Sequence, residues 1–390
     1  MWIRRNKMLG KILLLLVTLL VGGMTTLGCI GINLTPEGGS GGTVDNEVLY
    51  LCPTVKSPGG FSCSAPETEG KLIAVSTLGS YLWEAPIESS KPAGGFGCAA
   101  STPSSGAIYG APAVEAGLVY IGGYNGKIYA FNSSSGALRW VYPRQGNLQP
   151  IVGGAALAVG KVYIGCSDKK LYALDATTGN KEWEFQTGDK IWATPAIDGD
   201  TLYIGSFDKK LYALSAADGS EKWEFETEGA IISTPLVYDN TVYIGSFDRH
   251  LYAIDATNGS LRWRFMAENW FWARPVACNN TIYAGCLDGK VYVLDAENGR
   301  KIAEFDIGSP ISSSPVLVDS SIIFASEEGK VYSIDTGNNQ KRELKDLGAK
   351  VHAPLSASNG VVYIHTNDQN LHALNAQTGL SLWSLPVTSK

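Results

Sequence analysis

The stretch Lys161–Trp183, KVYIGCSDKKLYALDATTGNKEW, contains the pattern that decides the fold of this chain. Its phrase Val-Tyr-Ile-Gly-Cys at 162–166 returns as Leu-Tyr-Ile-Gly-Ser at 202–206, Val-Tyr-Ile-Gly-Ser at 242–246 and Ile-Tyr-Ala-Gly-Cys at 282–286. The tyrosines of these phrases are 40 residues apart: Tyr163, Tyr203, Tyr243 and Tyr283. A repeat of this length predicts stacked units, none of which buries its apolar face alone.

Each repeat contains four short runs of β-branched and aromatic residues, which indicate four β-strands. In one repeat these strands, named A to D, are Ile191–Ile197, Leu202–Ser206, Leu211–Ser215 and Lys222–Glu226. The A–B junctions are dipeptides that tolerate the positive φ of a tight hairpin, such as Asp198-Gly199. Four antiparallel strands per repeat, with no helical periodicity, predict an all-β protein built from propeller blades.

A second phrase places a tryptophan four residues after the glycine that ends strand C, as in Gly179 and Trp183. Such an indole can pack between neighbouring blades and find a partner for its N–H. The tryptophans at this blade position are Trp83, Trp140, Trp183, Trp223, Trp263 and Trp383. From Gly38 to Lys390 the chain therefore resembles the PQQ-like, or quinoprotein-type, propeller repeat. The resemblance implies a blade type and leaves the function open.

The number of blades follows from the anchor residues of strand B. There are eight: Tyr50, Tyr120, Tyr163, Tyr203, Tyr243, Tyr283, Phe324 and Tyr363. The first blade has a weak, glycine-rich strand A over Gly38–Val44. Because an open array would leave exposed strand edges, we predict an eight-bladed β-propeller closed into a ring. Seven blades are the alternative if the first blade does not close.

The N-terminus has the pattern of an export signal. Residues 1–28 combine a basic start with the apolar run Ile12–Val21, which is short for a membrane span. The run leads to Thr26-Leu27-Gly28-Cys29, which resembles a lipoprotein cleavage site with Cys29 acylated. We therefore expect a lipoprotein signal over residues 1–28, a flexible tether over 29–37 and one propeller domain over 38–390. A plain secreted protein or an uncleaved anchor is the alternative.

Composition limits the classes of partner. The 390 residues are 45% hydrophobic and 17% charged, with a formal net charge of −6. Residues 1–28 contain four basic and no acidic side chains, so the remainder carries about −10. This balance argues against a nucleic-acid partner. The length alone would predict two domains, but the continuous repeat predicts one. We also expect the propeller to be a monomer.

Two insertions interrupt the first blade, at residues 53–70 between strands B and C and at 87–104 after strand D. They share the phrases Gly-Gly-Phe61-Ser-Cys63 and Gly-Gly-Phe96-Gly-Cys98. Because strands alternate in direction, B–C and D–A connections emerge on the same face of the propeller. We therefore predict a Cys63–Cys98 disulfide, with Cys52 as the rival partner. The insertions serve either to protect a weak blade or to recognise a partner.

A cluster of aromatic residues at the D–A connections gives the candidate binding face. Three of the ten tryptophans, Trp192, Trp270 and Trp272, lie outside the signal and the blade position, at or just before strand A. Similar places or neighbouring positions are held by Phe271, Tyr109, His352 and Arg274. These residues fit an aromatic surface for a protein or peptide. The alternative is that some of them fill the propeller axis as core.

The B–C turns on the same face carry an aspartate followed by cationic residues in four repeats, beginning at Asp168, Asp208, Asp248 and Asp288. Such pairs are most simply solvated surface. A ring of them is also able to tune association with an acidic partner.

The sequence shows no metal-ligand spacing, phosphate-binding loop or nucleophile motif. The resemblance raises an enzyme alternative, because quinoprotein dehydrogenases hold PQQ and calcium on the propeller axis, typically with an adjacent cysteine pair that this chain lacks. A lipid-tethered propeller of this length is more similar to the BamB-type outer-membrane assembly lipoproteins. That resemblance implies a non-catalytic scaffold without a cofactor, anchored to the cell envelope and bound to an envelope or membrane protein. Carbohydrate binding through the tryptophans is a third alternative.

Peptide mapping under non-reducing conditions tests the pairing of the two insertions. We expect a linked peptide pair containing Cys63 and Cys98, because both phrases emerge on one face and export permits disulfides. Free thiols at both positions would contradict the prediction.

Overall fold

The computed structural model describes residues 40–56, 68–87 and 106–387, all within one compact unit that spans residues 37–390. In these ranges the chain is all-β, and its strands form eight antiparallel sheets. The described residues include no helix long and apolar enough to cross a membrane. The predicted signal, the tether and Cys29 lie outside the described residues.

Each sheet is one blade, with its strands hydrogen-bonded in the order A–B–C–D. Blade 1 consists of β1 (Thr43–Asp45), β2 (Val48–Leu51), β3 (Thr54–Lys56), β4 (Thr68–Ser76) and β5 (Tyr81–Ile87). Blades 2 to 4 consist of β6 (Ala113–Glu115), β7 (Leu118–Gly122), β8 (Ile128–Asn132) and β9 (Leu138–Tyr142); β10 (Ala155–Ala158), β11 (Lys161–Gly165), β12 (Lys170–Asp175) and β13 (Lys181–Gln186); and β14 (Ala196–Asp198), β15 (Thr201–Gly205), β16 (Lys210–Ser215) and β17 (Glu221–Glu226).

Blades 5 and 6 consist of β18 (Leu236–Tyr238), β19 (Thr241–Gly245), β20 (His250–Asp255) and β21 (Leu261–Met266), and of β22 (Val276–Cys278), β23 (Thr281–Gly285), β24 (Lys290–Asp295) and β25 (Lys301–Asp306). Blades 7 and 8 consist of β26 (Val316–Val318), β27 (Ser321–Ala325), β28 (Lys330–Asp335) and β29 (Lys341–Asp346), and of β30 (Ser356–Ser358), β31 (Val361–His365), β32 (Asn370–Asn375) and β33 (Ser381–Pro386).

Strand A is shorter than the sequence pattern predicts. The expected run Ile191–Ile197 forms a strand only over Ala196–Asp198. Proline at 195 has no N–H for a ladder, and Ile191 packs instead on the preceding blade, where a Cβ on Gly165 would lie 2.2 Å from the Ile191 side chain. The residues before strand A therefore connect neighbouring blades instead of lengthening the sheet.

Neighbouring blades are joined by a repeated contact, which we call the seam. The Trp183 indole covers Gly219 of the next blade, where φ is +75° and a Cβ would lie 2.6 Å from the ring. In the following seam, the Tyr203 hydroxyl and the Trp223 Nε1 both donate to the Ala256 carbonyl, at 3.2 and 3.1 Å. The glycine is thus required by its positive φ and by the indole packed on it.

Four other seams repeat this geometry, whereas blades 6 and 7 have no tryptophan at this position. Tryptophan Nε1 atoms donate to a carbonyl of the next blade from Trp83, Trp140, Trp263 and Trp383. Trp183 is the exception, since its buried Nε1 has no partner among the described residues. The predicted anchor of blade 7, Phe324, is wrong by one residue. Ile323, which pairs with Ser333, holds the position that tyrosine has in the other blades, and Phe324 is the next residue of the strand.

The ring closes between blades 8 and 1. Trp383 Nε1 donates to the Thr77 carbonyl of blade 1 at 3.0 Å. Apolar residues of both blades form one buried cluster, in which Leu49 and Ile73 of blade 1 pack with Tyr363 and Leu371 of blade 8. The eight-bladed prediction is confirmed, and the seven-bladed alternative is wrong.

The contact between blades 8 and 1 differs from the others at one pair of packed residues. In blades 2 to 6 a glycine at the end of strand B faces a large apolar residue of the next blade, as Gly165 faces Ile191. In blade 8 that position is His365, which is 4% exposed, while the sequence has Gly38 at the repeat position of Ile191. Both ring nitrogens of His365 lack a hydrogen-bond partner among the described residues. We infer that the imidazole fills space that an apolar side chain of the next blade fills in blades 2 to 6.

The first insertion begins as part of the sheet. Strand β3 pairs with β4 in the register that β2 already has, from Val48 opposite Ser76 to Lys56 opposite Thr68. The B–C hairpin of blade 1 is therefore extended beyond those of its neighbours. Cys52, the rival disulfide partner, is a buried free thiol. Phe61, Cys63, Phe96 and Cys98 lie outside the described residues, and their pairing stays a prediction.

Replacing two equivalent tryptophans by phenylalanine should separate the packing of the seam from its hydrogen bond. Trp223→Phe loses the bond to Ala256, whereas Trp183→Phe removes an N–H that has no partner. We expect Trp223→Phe to lower the free energy of unfolding by about 1 kcal/mol more than Trp183→Phe does. Urea unfolding measures the difference, and equal losses would contradict this account of the seam.

Acid should weaken the closing seam. Burial lowers the pKa of His365 from 6.5 to about 4. Since the unfolded chain takes up this proton near pH 6.5 and the folded chain does not, the contribution of the neutral ring is complete above pH 6.5 and is lost as the pH falls towards 4. We expect His365→Phe, with its similar ring, to flatten the fall in unfolding free energy over this window by up to about 3 kcal/mol. Parallel pH curves for the two proteins would contradict the prediction.

Candidate functional site

One face of the ring brings together the D–A connections and the B–C turns, and we call it the top face. The backbone N–H of Phe207, in the B–C turn of blade 4, donates to the Lys190 carbonyl at 3.0 Å. The equivalent bonds join Phe247 to Ala230 at 2.9 Å and Leu287 to Trp270 at 3.0 Å. Each connection is thus fixed to a B–C turn by backbone bonds, as the alternation of strand direction predicts.

Aromatic rings form a continuous strip across blades 4 to 6 on this face. The aromatic strip consists of Trp192, Phe207, Phe247, Trp270 and Trp272. Ring centres are 4.9 Å apart from Trp192 to Phe207, 6.3 Å from Phe207 to Phe247, 4.4 Å from Phe247 to Trp270 and 5.8 Å from Phe247 to Trp272. All five side chains are partly exposed. The structure therefore brings the three predicted tryptophans into one surface.

Polar contacts fix the blade 4 end of the strip. Trp192 Nε1 donates to the Ser167 hydroxyl at 3.0 Å. The Lys190 ammonium lies over the Trp192 and Phe207 rings, 4.4 and 4.3 Å from their centres. These cation–π contacts leave the charge of Lys190 at the end of the strip without a carboxylate partner among the described residues.

Phe271 is buried, unlike Trp270 and Trp272 on either side of it in the chain. It is 1% exposed and packs in the core between blades 5 and 6, where a Cβ on Gly245 would lie 2.5 Å from it. It occupies the position that Ile191 has in blade 4. The alternation of Trp270, Phe271 and Trp272 along an extended segment turns the middle ring inward and leaves the outer two on the surface.

Arg274 lies two residues beyond Trp272. Its backbone N–H donates to the Ser314 hydroxyl of blade 7 at 3.1 Å, while its guanidinium has no hydrogen-bond or ion-pair partner among the described residues. The side chain is exposed, yet desolvation by the surrounding protein lowers its pKa. Its blade equivalents Thr194 and Thr234 stand just before strand A, the first strand of each sheet.

The remaining predicted residues lie in other blades. Tyr109 contacts Tyr124 edge-on with ring centres 5.6 Å apart, separate from the aromatic strip. His352 Nδ1 lies 3.2 Å from the Ser312 hydroxyl and 3.5 Å from Glu327, and the contact with His352 lowers the pKa of Glu327.

This serine, histidine and glutamate do not form a proton relay. Ser312 and Glu327 both face Nδ1 of His352, while Nε2 is buried and has no partner among the described residues. A relay needs the two partners on opposite ring nitrogens. The geometry therefore gives no activated nucleophile at this place.

The turn aspartates are structural clamps. Asp248 accepts hydrogen bonds from the Tyr252 hydroxyl and from the backbone N–H groups of Glu228 and His250. Burial acts to raise the pKa of Asp248, but these hydrogen bonds outweigh it and the pKa is lowered. Asp208 and Asp288 repeat the arrangement. Their carboxylates are partly buried and accept several hydrogen bonds from the protein, so the solvated surface expected from sequence is wrong for them.

Phe207 and Phe247, the centre of the strip, are absent from the sequence prediction. They precede the turn aspartates, and that position holds Ser167, Leu287 and Glu327 in other blades. A comparison of this one position across the repeats would have shown two aromatic residues in adjacent blades.

The described donor atoms do not match a calcium site. Calcium takes six to eight oxygen ligands. Among the described residues no group of three or more His, Cys, Asp or Glu side chains is arranged to hold a metal ion. Glu327, near the axis, is engaged by His352. The residues that the structure describes therefore do not fit the calcium of the quinoprotein alternative.

The fold and its seams define a β-propeller of PQQ-like, BamB-like repeats. Residues 150–345, just over half of the chain, match the family model described as "Beta-alanine-activating enzyme, beta-propeller". The chain belongs to this β-propeller family. Residues 99–191 also match the family model described as "Outer membrane protein assembly factor BamB".

Solved structures share the architecture at low sequence identity. The crystal structure of BamB from Moraxella catarrhalis is 19% identical with a TM-score of 0.64, covering 84% of this chain and 91% of that one. The computationally designed Ika8 protein is 17% identical with a TM-score of 0.64, covering 72% of this chain and 86% of its own. These likenesses establish the fold. No curated protein sequence is similar enough to count as a relative.

Proposed function

We propose that the protein is a non-catalytic, lipid-anchored scaffold of the cell envelope that binds a protein or peptide through its top face, in the manner of a BamB-type assembly factor. The observation that carries the proposal is the aromatic strip. Five partly exposed rings in contact across three blades form a surface typical of interface centres, where tryptophan and tyrosine supply much of the binding energy.

The strip is preorganised for binding. Its residues lie on connections and turns that backbone hydrogen bonds join, and Phe271 anchors the blade 6 connection in the core. Little side-chain or loop freedom is then lost when a partner binds, which favours affinity. Rigid strands that present variable turns are also the usual support of a binding surface.

The location in the envelope rests on the N-terminal sequence and on the BamB likeness. Residues 1–28 have the features of an export signal, and Cys29 is the expected lipid attachment site. The family model that carries the BamB name matches residues 99–191 of the propeller, and the solved BamB structure covers 84% of this chain. Together they favour an exported protein held at a membrane by its N-terminus, with an assembly machine or its client as partner.

Capture of partners in living cells tests the function. The tagged full-length protein would be cross-linked in its membrane and purified, alongside Trp270→Ala/Trp272→Ala. We expect the wild type to retain one discrete envelope protein and the double variant to lose most of it, because hot-spot tryptophans each contribute at least about 2 kcal/mol.

The matched control is Ile302→Ala, which removes an exposed apolar side chain from the outer strand of the same blade. It should retain the partner as the wild type does. Equal capture by the wild type and the tryptophan variant would contradict the top face as the binding surface. Capture of no protein by any of the three would contradict the scaffold.

A further inference from the structure

Unpaired cations lie near both ends of the aromatic strip. Lys190 is at the blade 4 end, over Trp192 and Phe207, and Arg274 follows Trp272 at the blade 6 end. Neither side chain has a carboxylate within ion-pair distance among the described residues. The five rings carry no charge, so Lys190 and Arg274 place positive charge beside the strip.

Two acidic residues nearby are paired with other cations, and a third accepts a backbone hydrogen bond. Glu228 pairs with Arg264 at 3.6 Å, and Glu268 pairs with Lys290 at 3.1 Å. Asp189, next to Lys190, uses its carboxylate to accept the Lys190 backbone N–H at 2.8 Å. The repeat lysines of strand C also have partners, for example Lys210 with Glu224. Lys209 and Arg249 in the B–C turns also lack a carboxylate partner among the described residues. Lys190 differs from them because it lies over two rings of the strip, and Arg274 because it departs from the repeat.

Arg274 is also a departure from the repeat. Thr194 at the same position accepts a hydrogen bond from the Gly154 N–H of the preceding blade at 2.8 Å. An arginine side chain has only donors and cannot accept this bond. The contact between blades 6 and 7 uses the Arg274 backbone and not its guanidinium. The guanidinium therefore makes no hydrogen bond between the described blades, and its donors can reach a ligand.

We propose that the aromatic strip binds an extended peptide segment whose apolar or aromatic residues are flanked on both sides by acidic residues, one for Lys190 and one for Arg274. The inference rests on the proposed function and names the chemistry of the partner. At ~3.3 Å per residue in an extended chain, four to five residues span the rings from Trp192 to Trp272. Arginine binds a carboxylate through two parallel N–H bonds, which favours an acidic residue at the Arg274 end.

Three fluorescein-labelled peptides test the charge pattern against the purified full chain: Ser-Asp-Phe-Val-Phe-Asp-Ser, its asparagine version and its lysine version. Fluorescence anisotropy should show the acidic peptide binding about tenfold or more tightly than the lysine peptide, with the difference shrinking at ~0.3 M salt. Arg274→Thr and Lys190→Ala introduce the residues of sister blades. Each should weaken the acidic peptide about fivefold and leave the asparagine peptide unchanged. Arg274→Lys should retain part of the preference.

The inference fails if the lysine peptide binds as well as the acidic one, if no peptide binds, or if Arg274→Thr keeps the full preference with an unchanged urea midpoint. Binding of a glucan oligosaccharide instead, or a dimer that Trp270→Ala/Trp272→Ala dissociates, would also overturn it in favour of a glycan or a second copy. Capture of partners in cells distinguishes a failure of the charge pattern from a failure of the proposed scaffold function. If Lys190→Ala/Arg274→Thr retains a partner that the tryptophan variant loses, the charge pattern is wrong and the scaffold stands.

Discussion

The contact on which the structure depends is an indole packed against a glycine of the next blade, with its N–H on a carbonyl of that blade. Trp223 shows the complete form, since Ala256 accepts from both Trp223 and Tyr203 while Gly259 lies under the ring. A blade has too small an apolar face to be stable alone, so its neighbour has to cover it. The same contact between Trp383 and Thr77 closes the ring between blades 8 and 1.

This arrangement separates the residues that build the ring from those that vary. The seams use strands B and D and the turn after strand C, whereas the top face consists of B–C turns and the segments before strand A. Substitution of the outward-facing residues there leaves the seams intact, and blades 4 to 6 have aromatic residues at such positions. Phe271 and Trp272 show the division within one segment, because the first covers Gly245 in the core and the second joins the strip.

The sequence predicts the ring well because the seam is a local, repeated pattern. It predicts the site only in part. Trp192, Trp270 and Trp272 are visible as departures from the repeat, but their contact passes through Phe207 and Phe247, which are distant in the chain and become neighbours only when the blades are placed around the axis. Phe271 and Phe324 are misassigned for a simpler reason, since burial along an extended segment alternates and a shift of one residue reverses it.

The central claim is that the top face of blades 4 to 6 is where a partner binds. Site-specific photo-cross-linking tests it most directly, with benzoyl-phenylalanine placed at Phe247, the centre of the strip, or at Leu261, an exposed residue on the outer strand of the same blade. The account predicts one discrete adduct from position 247 in cells and none from position 261. Adducts from position 261 alone, or the same adducts from both positions, would contradict it.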